Sequence, residues 1–185
     1  MLFRKATEED LHAVSRIYEA VHTAEESGKI TTGWVRNVYP TDETAKEALQ
    51  RCDLFVGTDD NLIVGTAIIN KQQTDAYKNG HWNYEVSDQE IMVLHTLVID
   101  PVLSGKGYGK SFVEFYESYA LSQRCHYLRM DTQAKNENAR AMYKKLGYTE
   151  IGIVPCVFNG IEGVQLVLLE KKLEGRHEKK RQRNN

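Results

Sequence analysis

The sequence is poor in the features that mark exported, membrane-bound or metal-stapled chains. Its three cysteines, Cys52, Cys125 and Cys156, are odd in number, far apart and without a Cys-x-x-Cys pair. That argues against a disulfide framework and against a zinc site, and it suits a reducing cytoplasm. No apolar run approaches the ~18 residues that a membrane helix needs. The opening residues, MLFRKATEED, carry acid where a signal peptide carries an apolar stretch, so export is not expected. There are no internal repeats, and no residue pattern calls for a metal.

What is present fits one globular domain. The 185 residues are enough to bury a real core, and 41% hydrophobic with 27% charged residues is ordinary for a soluble protein. The net charge of −2 is unevenly spread. Residues Lys171 to Asn185 hold seven Lys and Arg against two Glu, which leaves 17 Lys and Arg against 24 Asp and Glu, a net −7, in the rest. So acidic a body makes a poor nucleic-acid binder and favours a cationic partner, although a solvated surface explains it as simply.

Periodicity predicts seven strands and four helices. Leu2–Ala6 reads as a strand and Thr7 as an N-cap, with Leu11, Val14, Ile17, Tyr18 and Val21 on one helical face. Glu25–Pro40 has no clean period and reads as loop or broken helix. Asp42–Arg51 restarts a helix with acids in its first turn. Two β-branched runs, Leu54–Thr58 and Leu62–Asn70, flank the turn residues Asp59-Asp60-Asn61. After the polar stretch Lys71–Gln89 comes Glu90–Asp100, apolar on both faces as in a strand covered on each side. Then follow a helix over about Gly107–Arg124, a strand over His126–Thr132, a helix over Glu137–Leu146 closed by Gly147, and strands Thr149–Val154 and Val164–Lys172. The result is a mixed α/β layer fold in a single domain. The tail EGRHEKKRQRNN has no apolar residue and is expected to be disordered.

The most informative segment is Leu97–Ser111, LVIDPVLSGKGYGKS. A buried strand ends, three glycines alternate, and a helix begins among them. Such a turn lets backbone N–H groups converge at the positive end of the helix dipole, where a pyrophosphate can sit. The plainer reading is a softened strand-to-helix turn, which does not require three alternating glycines. A Walker loop is ruled against by Ser104, which stands where its first glycine belongs, and a Rossmann G-x-G-x-x-G is absent.

Here the chain resembles the GNAT superfamily of acetyl-CoA-dependent N-acetyltransferases. Ser104–Gly109 (SGKGYG) matches all but the first position of the family's Q/R-x-x-G-x-G/A loop. Asn136-x-x-Ala139-x-x-Met142-Tyr143-x-x-Leu146-Gly147-Tyr148 resembles its second hallmark. The likeness covers about Glu90–Val154, with Trp34 and Tyr39-Pro40 a weaker echo upstream. It implies a GNAT-like mixed central β-sheet with helices on both faces, a domain over residues 1–173 and a tail over 174–185.

The resemblance further implies that acetyl-CoA lies between two splayed central strands. The peptide groups of Leu97, Val98 and Ile99 would pair with its pantetheine arm. The amides of Gly105, Lys106, Gly107, Tyr108, Gly109 and Lys110 would hold the pyrophosphate, and Asn136 would anchor the arm, without ceasing to serve as a helix N-cap. Transfer to a primary amine then proceeds directly, through a tetrahedral intermediate whose oxyanion meets a free N–H near Leu97. Tyr143 is the expected acid for the leaving thiolate, set against a plain core tyrosine. His95 falls where many relatives carry a base, and a satisfied core histidine explains it equally well. Strand alternation places it with Ile91, Val93, Leu97 and Ile99 unless a bulge intervenes.

Two rival readings are a non-catalytic acyl-CoA sensor and, more distantly, a nucleotide phosphotransferase. The acceptor is left open between a small-molecule amine and a peptide or protein amine, with no nucleic acid, membrane or metal expected. A homodimer is compatible with the sequence. Trp34, Tyr39, Trp82 and Tyr84 lie in the two irregular stretches that should border the acceptor cleft, as walls, as a cation-binding face or as packing under a loop.

Overall fold

The alternating runs form seven strands in one mixed sheet in a computed structural model that describes residues 1–174. From residue 175 onward the expected basic tail lies outside the described residues. The strands are β1 (Leu2–Lys5), β2 (Leu54–Asp59), β3 (Leu62–Asn70), β4 (Ile91–Ile99), β5 (Tyr127–Gln133), β6 (Thr149–Phe158) and β7 (Ile161–Lys172). Their spatial order is β1-β2-β3-β4-β5-β7-β6, with β4 and β5 parallel and every other pair antiparallel. The helices are α1 (Leu11–Glu26), α2 (Asp42–Gln50), α3 (Tyr108–Ser122) and α4 (Glu137–Lys145). Among the described residues no helix is long and apolar enough to cross a membrane.

Helix α1 follows a short 3-10 turn, where the Asp10 carboxylate accepts the Thr7 amide at 2.7 Å and is gripped by Arg4. Its apolar stripe, Val14, Ile17, Tyr18 and Val21, is buried as the period requires. Helices α3 and α4 cover the opposite face of the sheet, with Phe112 and Tyr116 wholly enclosed. Burial of a side chain such as Phe112 contributes about 1.5–3 kcal/mol. The face under α1 and α2 is only half covered by helix. Over β4, β5 and β7 the cover is the 71–89 stretch, whose Ala76 and Tyr77 pack on Ile91, Val93 and Leu168.

Two departures from the sequence reading matter for function. Strand β4 carries a bulge: Thr66 pairs with Val98 but Ile68 with His95, and Thr96 adopts φ 48°. Even-numbered Met92 and Leu94 pack toward α3, as do odd-numbered Leu97 and Ile99. His95 therefore does not share a face with Leu97 and Ile99, because the extra residue inverts the alternation beyond it. The last hairpin is also longer than its expected ends, Val154 and Val164. It runs to a tight Asn159-Gly160 turn with φ 51° and 76°, the geometry that Asn-Gly favours.

Candidate active site

Strands β4 and β5 pair only from Ile91–Tyr127 to Leu94–Met130 and then part. The bulge begins where the pairing stops, so the edge of β4 at Leu97–Ile99 that faces β5 has no strand partner. A left-handed β-branched residue at Thr96 is strained, at a cost of about 1–3 kcal/mol, and such strain concentrates at functional positions. In the register with β3, Thr96 and Leu97 have no partner. The gap between the strands opens into a cavity of about 1010 Å³. Leu97, Val98 and Ile99 line one side, Asn136, Met142 and Tyr143 the other.

The glycine loop closes one end of this cavity. Gly105 and Gly107 sit at φ 81° and 83°, a conformation that side chains rarely adopt, and Gly107 caps α3. Gly109 has a different reason: a Cβ there would stand 3.3 Å from the Met142 sulfur, so it allows α3 to approach α4. The first helical bond runs from the Ser111 amide to the Gly107 carbonyl. Among the described residues the amides of Gly105 through Lys110 reach no backbone carbonyl, which leaves a row of donors at a helix N-terminus. Lys106 does not line the cavity and Lys110 pairs with Glu114, while the Tyr108 hydroxyl donates to Asp59 at 2.7 Å. What this loop offers an anion is mainly backbone, with Lys110 as the one lysine of the loop that lines the cavity.

Asn136 does two jobs at once. Its side chain caps α4 by accepting the Ala139 amide at 3.3 Å, and it lines the cavity. Tyr143, 6% exposed, projects from α4 toward the same space. Burial first, and then the nearby Asp131 carboxylate, push its hydroxyl well above the ordinary tyrosine range.

A second cavity of about 430 Å³ adjoins the first, and both are lined by Tyr39, Asp131, Phe158 and Asn159. Asp131 is the residue that sequence reasoning passed over. It is half-buried on β5, accepts the Tyr77 hydroxyl at 2.8 Å, and is pushed up by burial to about 7. The only sequence signal was an acid following the apolar run of a strand, which does not reveal what the fold brings around it.

His95 lines the second cavity with Asn70, Gln72 and Arg51. Its Nε2 lies 3.0 Å from both Asn70 Oδ1 and the Gln72 carbonyl, so that nitrogen carries the proton. Burial brings the imidazole down to about 4, against 6.5 for a free histidine. The four aromatics divide. Trp34 and Tyr39 meet edge to face at 6.2 Å on the large cavity, and Tyr39 bonds to the bulge through Thr96. Trp82 and Tyr84 line neither cavity; Trp82 carries the Arg129 guanidinium 3.9 Å over its ring.

Known proteins resemble this chain in sequence and in fold. The family model described as Acetyltransferase (GNAT) family matches residues 14–148. Streptothricin acetyltransferase of Escherichia coli is 29% identical over 145 residues, covering 77% of this chain and 73% of that protein. A GNAT-family acetyltransferase structure from Streptococcus agalactiae superposes with a TM-score of 0.79 at 21% identity, covering 94% of this chain and 96% of that one. A Salmonella typhimurium structure with its cofactor acetyl-CoA gives 0.67 at 16% identity, with 95% of each chain covered.

Proposed function

The chain belongs to the GNAT acetyltransferase family, and from that premise we propose that it moves the acetyl group of acetyl-CoA directly onto a primary amine of a small cationic molecule. Its residues fit the donor: a row of free amides at Gly105–Lys110 for the pyrophosphate, the unpaired edge at Leu97–Ile99 for the pantetheine arm, and Asn136 opposite. Acetyl-CoA, when bound, supplies an activated thioester. Everything else is the work of the chain.

The observation that carries the reading is the meeting of two cavities at Asp131. An amine is protonated at neutral pH and has no lone pair to attack with. A carboxylate with a pKa near 7, facing the acceptor cavity, both attracts the cation and accepts its proton. His95 was the candidate base, set evenly against a core histidine, and at about 4 it holds an amine proton poorly. Its role in this scheme is a neutral, hydrogen-bonding wall of the acceptor cavity. The bulge leaves Thr96 and Leu97 without register partners on β3, and a backbone N–H there is the donor assigned to the oxyanion of the tetrahedral intermediate. Tyr143 stays protonated through the neutral range and donates to the sulfur as the C–S bond breaks.

A cavity of about 430 Å³ suits a small molecule. The E. coli relative makes streptothricin the first acceptor to try. The test is release of free thiol from acetyl-CoA across a library of amines, streptothricin included. Turnover on a cationic amine is the expected result. Tight acetyl-CoA binding with no turnover on any amine would favour the non-catalytic sensor instead.

A further inference from the structure

The acceptor side of the sheet holds two buried charges that no step above uses. Arg129 on β5 and Glu170 on β7 are cross-strand partners, 7% and 2% exposed. Removing such groups from water is costly, and apolar residues there would hold the sheet together as well. Both side chains reach off the sheet into the 71–89 stretch. Arg129 donates to the Gln73 side chain and, at 3.1 Å, to the Tyr84 carbonyl, while its plane lies over Trp82. Glu170 accepts from the Asn83 amide at 2.9 Å, from Asn83 Nδ2 at 3.0 Å and from the Tyr84 amide at 3.4 Å. Trp82 Nε1 then donates to the Tyr77 carbonyl at 2.9 Å, and the two rings pack 5.1 Å apart. The chain of contacts ends at the Tyr77 hydroxyl on Asp131.

We propose that Arg129 and Glu170 clamp residues 73–84 so that this segment delivers the Tyr77 hydroxyl to Asp131, making Tyr77 a positioning residue that sets the pH range of amine deprotonation. The link to deprotonation rests on the reading of Asp131 as the base. A donor held against a carboxylate favours the charged form, and here it opposes the effect of burial. The bond from Tyr77 is the sole hydrogen bond to the Asp131 side chain among the described residues. Tyr39 from the 25–40 stretch, Tyr143 from α4 and Cys156 from β6 are close enough to feel its charge. His95 from β4 shares its cavity, as do Glu47 of α2 and Arg51 just beyond it, and Arg129 stands two positions along β5.

The experiment needs no acceptor to begin. Carbon-13 labelling of aspartate allows the Asp131 carboxyl to be titrated directly by NMR, in the parent and in Tyr77→Phe. The variant should move its midpoint up by about one pH unit, and the acidic limb of kcat/KM should move with it. Glu170→Gln, which slackens the clamp two contacts away, should shift both in the same direction by less. It should also speed hydrogen exchange of the Asn83 and Tyr84 amides. It stands in if Tyr77→Phe does not fold. A folded Tyr77→Phe with an unmoved Asp131 midpoint overturns the proposal, as does an unmoved midpoint in Glu170→Gln despite faster exchange. A midpoint that moves while the kinetic limb stays put supports the clamp and overturns Asp131 as the base.

Discussion

The two halves of the cleft are built from different material. The half proposed for the cofactor is mainly backbone: loop amides that glycines at positive φ make possible and a strand edge left where β4 and β5 part, with Asn136 and Tyr143 on the facing wall. The half proposed for the acceptor is side chains gathered from distant parts of the chain. Tyr39, Tyr77 and Asp131 belong to three segments, and they come together only because the 25–40 and 71–89 stretches fold over the same face of the sheet. A site made of backbone is tolerant of most side chains and leaves a glycine signature. A site made of side chains depends on single atoms and leaves none.

One substitution should break the backbone half. Gly107→Val puts a β-branched residue at φ 83°, where only glycine is at ease. Acetyl-CoA affinity should fall at least ~100-fold by calorimetry on the folded variant, ~2.7 kcal/mol. Near-native affinity would remove the phosphate assignment. Lys106→Ala is the matched control, since that side chain does not line the cavity. It should weaken binding by no more than about threefold, the order of a screened surface charge.

Where side chains act, deleting one oxygen should be enough. Tyr143→Phe is expected to lower kcat by roughly 10²–10⁴-fold, about 3–5 kcal/mol in the barrier, with KM for acetyl-CoA nearly unchanged. If stability drops while kcat holds, Tyr143 is a packing residue. His95→Gln should be far milder, less than about threefold in kcat/KM at pH 8, because an imidazole held down near 4 is a poor acceptor for an amine proton. A loss beyond tenfold would return the base role to His95.

Stability offers a test that needs no substrate. The fold raises Asp131 from 3.8 to about 7, so the native state prefers its protonated form. The stability that this group contributes is full below pH 3.8 and is lost as pH rises toward 7. Asp131→Asn should therefore raise Tm at pH 8.5 by at least about 3 °C and change it far less at pH 4. An equal effect at both values would mean that the carboxyl is not perturbed as described.

The same division explains what the sequence revealed. SGKGYG and the Asn136–Tyr148 pattern were readable because conformational demands fall on residue types. The strand and helix order was equally plain, since short, largely apolar runs mark β2, β3 and β4 and an apolar stripe of helical period marks α1. The bulge was not, for nothing in Leu94-His95-Thr96 marks an inserted residue, and it reversed the face assigned to Leu97 and Ile99. Asn159-Gly160 did signal a turn and was overlooked in favour of shorter strands. Asp131 stayed hidden because its character comes from burial and from Tyr77, 54 positions away.

The most direct test is the pH profile of kcat/KM for the parent and for Asp131→Asn, with two acceptor amines of different basicity. In the parent, one acidic limb should lie near pH 7 and stay there when the amine is exchanged, while the limb belonging to the amine moves. Asp131→Asn should abolish the fixed limb and lose at least about tenfold at pH 8, ~1.4 kcal/mol, with partial recovery above pH 9 as more amine becomes neutral. Native rates with the limb still in place would contradict Asp131 as the proton acceptor, and with it the account of the acceptor half.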